Sequence, residues 1–198
     1  MNTREVLEII AEQVPKDTAF IASLGRTSEE TFRLFPDQTL FLDSMGDVTT
    51  VACGVALGLG ATHPVVALDT DGSHLMGLSS LSTLATLVDR LPNLLLIVLD
   101  NGLYESGGGL PSRYTELDWQ LLGQAYGMDC QVVNNKKQLL VSLQSVFSRF
   151  SYIITKIENT DNPPAAQKSL DGVEAKYRFS RHLERLLQKP LLRPSVKS

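Results

Sequence analysis

Two uninterrupted apolar runs, Val65 to Leu68 and Leu94 to Leu99, dominate the pattern of the chain. Each is preceded by a proline (Pro64, Pro92) and each ends abruptly in polar residues: Asp69-Thr70-Asp71-Gly72-Ser73 after the first, Asp100-Asn101-Gly102-Leu103-Tyr104 after the second. A half-exposed strand would alternate, so unbroken runs of this length predict strands of a parallel sheet buried on both faces. Between them, apolar residues at 78, 81, 84, 85 and 88 keep helical spacing and predict one helix over 75–90. Strand, helix, strand is a βαβ unit, which brings both strand ends to one edge of the sheet, where open α/β folds bind ligands.

The same alternation continues on either side. Val6, Leu7, Ile9 and Ile10 give one apolar face to a helix over 3–13, and a strand is expected from Ala19 to Leu24. Thr27 or Ser28 can cap a helix carrying Phe32 and Leu34. A strand over 39–42 leads into the turn Asp43-Ser44-Met45-Gly46, and a helix follows over 48–62. Gly54, Gly58 and Gly60 lie among Ala52, Ala56 and Ala61 along that helix rather than in a turn after a strand, so they read as close helix packing and not as a dinucleotide loop. Beyond the central unit come a glycine-rich loop over 106–114, helices over 118–126 and 137–150, and strands over 130–133 and 152–157. The expected fold is therefore α/β and doubly wound, a mainly parallel sheet with helices on both faces, over residues 1–158. Residues 159–166, with two prolines, read as a linker to a helix over 173–188 and a basic tail.

Composition narrows the function only slightly. The chain of 198 residues suits one well-buried domain, and a net charge of −4 argues against nucleic acid as partner. No apolar run approaches a membrane span and the N-terminus lacks a secretory pattern. Cys53 and Cys130 both sit in apolar surroundings, which predicts reduced core thiols and a cytoplasmic protein.

Chemistry concentrates at the two strand ends. Asp71 alone reads as a helix cap and Asn101-Gly102 alone as a turn pair. At paired strand ends, a carboxylate, an amide oxygen and a main-chain carbonyl are hard ligands that suit Mg²⁺ and leave room for phosphate oxygens. Gly72 and Ser73 would open the helix with free N–H groups toward such a phosphate. His74 is a candidate for substrate contact or for support behind the site, and Arg26, at a strand end, for an anionic substrate or for plain solvation. Glu105 reads as a residue that orders the glycine-rich loop.

Asp71-Gly72-Ser73, followed some thirty residues later by Asp100-Asn101-Gly102-x-Tyr104, resembles the diphosphate motif of thiamine diphosphate enzymes. Within that group the chain is similar to the small decarboxylases of phosphonopyruvate and sulfopyruvate, in the glycine-rich stretch Tyr104 to Gly109 and in Asp43-Ser44-Met45-Gly46, which matches a Gly-Ser-Met-Gly turn. The resemblance runs from Val6 to Glu158. It implies Mg²⁺ on Asp71, Asn101 and the carbonyl of Leu103. It also implies thiamine diphosphate held by Asp43, Ser44, Met45, Gly46, Asp71, Gly72, Ser73, Asn101, Leu103 and Tyr104, with Met45 bending the cofactor. The activating glutamate of the family comes from a separate pyrimidine-binding domain, so a partner subunit is implied, or a homo-oligomer, with a small 2-oxo acid as substrate. Thr70 and Asp43 stand where the family has Gly, Asp47 where it has His and Glu29 where it has Arg, which implies a less anionic substrate. The same substitutions suit a non-catalytic or regulatory subunit. A receiver-like phosphotransfer domain using Asp69, Asp71 and Asp100 would need a lysine at a late strand end, and Lys156 is expected inside its strand.

Overall fold

The computed structural model describes residues 1–160 and 171–191. In chain order the strands are β1 (Ala19–Ala22), β2 (Thr39–Phe41), β3 (Val65–Thr70), β4 (Leu94–Asp100), β5 (Leu103–Tyr104), β6 (Leu110–Pro111), β7 (Cys130–Val133) and β8 (Ser151–Lys156). Six of them form one sheet, in the order β2-β1-β3-β4-β8-β7. Every pairing in it is parallel. β5 and β6 make a small antiparallel ladder of their own.

The helices are α1 (Thr3–Gln13), α2 (Arg26–Leu34), α3 (Val48–Leu59), α4 (Asp71–Met76), α5 (Ser79–Ala85), α6 (Trp119–Ala125), α7 (Lys136–Leu143) and α8 (Gly172–Leu187). Alternate residues of β4 explain its unbroken apolar run. Leu94, Leu96 and Val98 pack with α3, α5, α6 and α8 on one face. Leu95, Ile97 and Leu99 pack with α1 and α7 on the other. A strand with helices over both faces has no side on which a polar residue would meet water. The register then sets the site, because Thr70 pairs with Leu99, leaving Asp71 and Asp100 as the next residue on each strand.

The helix expected over 75–90 is instead α4, α5 and a 3₁₀ turn over Val88–Arg90. The break falls at Gly77, where a Cβ would lie 2.3 Å from the carbonyl oxygen of Gly46. A neighbouring backbone occupies the space a helical side chain would need. The Thr86 hydroxyl donates to the carbonyl of Thr83 at 2.8 Å as α5 ends. In α3 the packing falls on other residues than the glycines. Ala52 and Ala56 are fully buried, while a Cβ at Gly54 or Gly58 would meet nothing within 4 Å.

Smaller corrections have local causes. Helix α2 begins at Arg26, ahead of Thr27 and Ser28, because Gly25 takes a φ of 74° and turns the chain directly off β1. Helix α7 ends at Leu143, and Phe147 beyond it takes a φ of 66°. The glycine-rich loop is ordered by the β5–β6 ladder and a 3₁₀ turn over Glu105–Gly107. Of the expected linker only 159 and 160 fall within the described residues, and the tail lies outside them beyond 191.

Candidate functional site

Asp71 opens α4 and Asp100 closes β4. Their carboxylates are fully buried and share one guanidinium. Arg113 Nη1 lies 2.9 Å from Asp71 Oδ2 and 2.8 Å from Asp100 Oδ1, and Nη2 is 3.2 Å from Asp100 Oδ2. The Ser112 hydroxyl also donates to Asp71 Oδ2. Asp100 has three further partners: the Gly102 N–H donates to Oδ1 at 3.1 Å, Trp119 Nε1 donates to Oδ2 at 2.7 Å, and Lys156 Nζ sits 2.7 Å from Oδ2 while also meeting Glu116. Three carboxylates thus share two cations.

The shortfall is concentrated on Asp71. Its Oδ1 is buried and has no hydrogen-bond partner among the described residues. Burial raises the Asp71 carboxyl above its ordinary range, with Asp100 adding to the rise against the pull of Ser112 and Arg113. Asp100 goes the other way. Burial pushes it up, but hydrogen bonds from Lys156, Trp119 and Arg113 outweigh that and hold it low. Of the two carboxylates, only Asp71 keeps a buried oxygen without a hydrogen-bond partner among the described residues.

Beside this pair lies a cavity of about 370 Å³ lined by Leu24, Arg26, Met45, Thr70, Met76, Asn101, Leu103, Tyr104 and Glu105 among others. Backbone contact fixes its walls. The N–H of Gly46 donates to Ser73 Oγ at 3.0 Å, and Gly46 (φ 88°) presses on Gly77, so the turn carrying Met45 is docked against α4. The Tyr104 ring covers Gly72 so closely that a Cβ there would be 2.3 Å from a ring carbon. Asn101 Oδ1 accepts from the N–H of Leu103 at 3.0 Å, and its amide donates to Asn159 at 2.7 Å. At the rim Arg26 Nε meets Glu105 at 2.8 Å. That contact orders the loop as its acidic residue suggests.

The fold therefore gathers Met45, Gly46, Asp71, Gly72, Ser73, Asn101, Leu103 and Tyr104 at one sheet edge. Asp43 and Ser44 stand in the same turn but do not line the cavity, and Ser44 instead donates to Asp47 at 2.5 Å. Asp47 and Glu29 do not line it either. His74 turns inward, 2% exposed, with Nε2 2.7 Å from the Tyr152 hydroxyl and Nδ1 3.5 Å from Asp69, so it supports α4 from behind. Lys156 is the last residue of β8 and not interior to it. Sequence reasoning missed Arg113, Ser112 and Trp119, none of which carries a local signal in the sequence. Among the described residues no group of three His, Cys, Asp or Glu side chains could hold a metal ion. A metal here would rely on Asp71, neutral oxygens and the ligand's own oxygens. Nor is any described helix long and apolar enough to cross a membrane.

Known proteins similar to this chain point one way. The chain is 37% identical over 123 residues to a phosphonopyruvate decarboxylase of Streptomyces viridochromogenes, a match covering 61% of this chain and 30% of that one. It is 29% identical over 178 residues to the sulfopyruvate decarboxylase subunit beta of Methanococcus maripaludis, covering 88% and 94% respectively. The chain thus spans under a third of the first relative and nearly all of the second. Among solved structures, the benzoylformate decarboxylase of Polynucleobacter necessarius superposes with a TM-score of 0.65 at 23% identity, over 81% of this chain and 34% of that one. A thiamine diphosphate-dependent 4-hydroxybenzoylformate decarboxylase of Rhodococcus jostii gives 0.66 at 17% identity, over 82% and 33%. These two establish a shared fold. The family description "Thiamine pyrophosphate enzyme, C-terminal TPP binding domain" matches residues 21–155. That stretch runs from β1 into β8 and holds both strand ends of the site, so the chain belongs to the thiamine pyrophosphate enzyme family, as its C-terminal TPP-binding domain.

Proposed function

We propose that this chain is the diphosphate-binding half of a thiamine diphosphate- and Mg²⁺-dependent 2-oxo acid decarboxylase whose active site is completed by a pyrimidine-binding partner subunit. The observation that carries the metal reading is the buried, unpartnered Oδ1 of Asp71 beside a cavity of ligand size. A divalent cation supplies the charge that site lacks, and Asp71, Asn101 and the Leu103 carbonyl are the oxygens to hold it. Gly72 and Ser73, in the first turn of α4, would offer main-chain N–H groups to the diphosphate, and Met45, on the cavity wall, would support the cofactor.

When bound, thiamine diphosphate supplies a carbanion that attacks the 2-oxo carbon and takes up the electron pair left by departing CO₂. The chain's own residues bind and orient. Met45, Met76, Leu103 and Leu110 give the cavity apolar lining groups, of which Met76 and Leu110 are more than half exposed. The proton on the pyrimidine ring is assigned to a glutamate of the partner. Arg26 and Glu105 are the lining residues of opposite charge and they neutralise each other. That supports a 2-oxo acid with less additional negative charge than phosphonopyruvate or sulfopyruvate, the compounds for which the relatives are named.

Calorimetric titration with thiamine diphosphate and Mg²⁺, on the chain alone and then with the partner, tests the reading. Binding should require Mg²⁺ and disappear in Asp71→Ala and Asn101→Ala. No binding in either setting would refute the cofactor assignment and leave a fold kept for assembly. Turnover of phosphonopyruvate or sulfopyruvate in preference to a 2-oxo acid with an uncharged side chain would refute the substrate assignment.

A further inference from the structure

We infer that Arg113 is a built-in counter-ion that closes the metal site by bridging Asp71 and Asp100 and that must withdraw before Mg²⁺ and the diphosphate can enter. The inference rests on the Mg²⁺–diphosphate reading and concerns how that site is regulated. Arg113 follows an exposed turn, between Pro111 and a fully exposed Tyr114, yet its own side chain is only 14% exposed. It turns inward to touch two carboxylates, Asp71 at the start of α4 and Asp100 at the end of β4, with its guanidinium carbon 6.0 Å from the Trp119 ring centroid. A planar fork carrying five donors suits such bridging, whereas an ammonium would satisfy fewer of the four oxygens.

The two carboxylates depend on it unequally. If Arg113 leaves, Asp100 keeps Lys156 and Trp119. Asp71 keeps the Ser112 hydroxyl and the neighbouring Gly72 N–H but has no other cation among the described residues. Withdrawal therefore uncovers the residue assigned to the metal and leaves its neighbour compensated. The route out is also present. Glu116, 72% exposed at the rim, already meets Nη2 at 3.4 Å and offers the guanidinium a carboxylate in water. Arg113 stands two residues beyond the β5–β6 ladder, so its side chain reaches Glu116 with that ladder left in place. A site occupied by its own cation binds metal with an affinity reduced by the fraction of molecules that are open.

The test is Mg²⁺ affinity at saturating thiamine diphosphate, measured by calorimetry on the chain with its partner for wild type, Arg113→Gln and Arg113→Lys. Emission of Trp119, the single tryptophan, reports withdrawal of the guanidinium independently. Arg113→Gln should bind Mg²⁺ roughly ten-fold tighter or more, and Arg113→Lys should fall between it and wild type. Wild-type emission should shift on Mg²⁺ binding, and the shift should shrink in Arg113→Gln. If Arg113→Gln does not fold, the lysine variant decides by the same sign. Equal or weaker affinity in the folded variants overturns the role of Arg113 and leaves the cofactor reading intact. Absence of Mg²⁺-dependent binding in all three proteins overturns both.

Discussion

Replacing Gly77 by alanine should distort the cavity beside Asp71 from a position that does not line it. The new Cβ would lie 2.3 Å from the carbonyl oxygen of Gly46, 3.0 Å from its carbonyl carbon and 3.1 Å from its Cα. These are backbone atoms and cannot swing aside as a side-chain tip would. Restoring ordinary contact moves the Met45 turn away from α4 by about 1 Å, and the 3.0 Å hydrogen bond from the Gly46 N–H to Ser73 Oγ is stretched or lost. Overpacking of this kind costs about 1–3 kcal/mol, and the hydrogen bond adds about 1 kcal/mol. Gly77 has a φ of −94°, which alanine accepts, so the smaller entropy of the unfolded alanine chain returns about 0.4–1 kcal/mol. The net loss of roughly 1–3 kcal/mol corresponds to a Tm about 3–10 °C lower for a chain of this size. Thermal melting followed by circular dichroism measures it, with Gly54→Ala as the counterpart. That position is helical and open, so alanine should raise Tm by a few degrees, from about 0.5–1 kcal/mol of helix preference. A Gly77→Ala protein that melts with wild type, or a Gly54→Ala protein that falls with it, would refute the steric argument.

Other perturbations separate the layers beneath the site. Tyr152→Phe removes the 2.7 Å partner of His74 Nε2 where both side chains are buried, and should lower stability by about 1–3 kcal/mol; an unmoved urea midpoint would contradict this. Burial pushes the Cys53 thiol up to about 11 and the Cys130 thiol up to about 12. The folded chain should therefore resist iodoacetamide at pH 8 until it is unfolded by urea. The stability linked to these raised thiols is complete below the unfolded pKa of about 8.5 and is lost as pH rises toward the folded values, so Tm should fall on the alkaline side. Asp100, held low by Lys156, Trp119 and Arg113 against burial, contributes stability above the ordinary carboxyl pKa of about 4 and loses it in stronger acid. Asp100→Asn should lower the neutral-pH Tm and flatten that acid limb, and an acid limb as steep as wild type would count against the assignment.

What could be read in the sequence and what could not divide along the range of the interactions. β3 and β4 were visible because burial on both faces leaves an unbroken apolar run, and their parallel register brings Asp71 and Asp100 together. Those features are local or follow from the βαβ rule. The break at Gly77 was not visible, because it depends on Gly46, 31 residues earlier, pressing on it. The glycines of α3 were misjudged for a related reason. Spacing marks a face as small but not which small residue meets the neighbour, and the alanines do. Arg113 gave no signal, since a lone arginine in a polar loop is drawn inward only by carboxylates that the start of α4 and the end of β4 supply. His74 sits beside the motif in sequence, yet the turn of α4 points it at Tyr152 and the core.

The position of β8 in the sheet has a consequence for synthesis. β8 lies between β4 and β7, so β4 has no partner on that side until residues 151–156 have left the ribosome. The 56 residues from Asp100 to Lys156 take roughly 3–11 s to make at about 5–20 residues per second. Through that interval the most apolar strand of the chain presents an unpaired edge, a template for pairing with other nascent chains. The residue that ends the exposure is Lys156, whose ammonium meets Asp100 as the last rung of the β4–β8 ladder forms. Closing this edge and giving Asp100 its second cation are one event, so a nascent chain stalled short of this lysine has neither a finished edge nor a finished site.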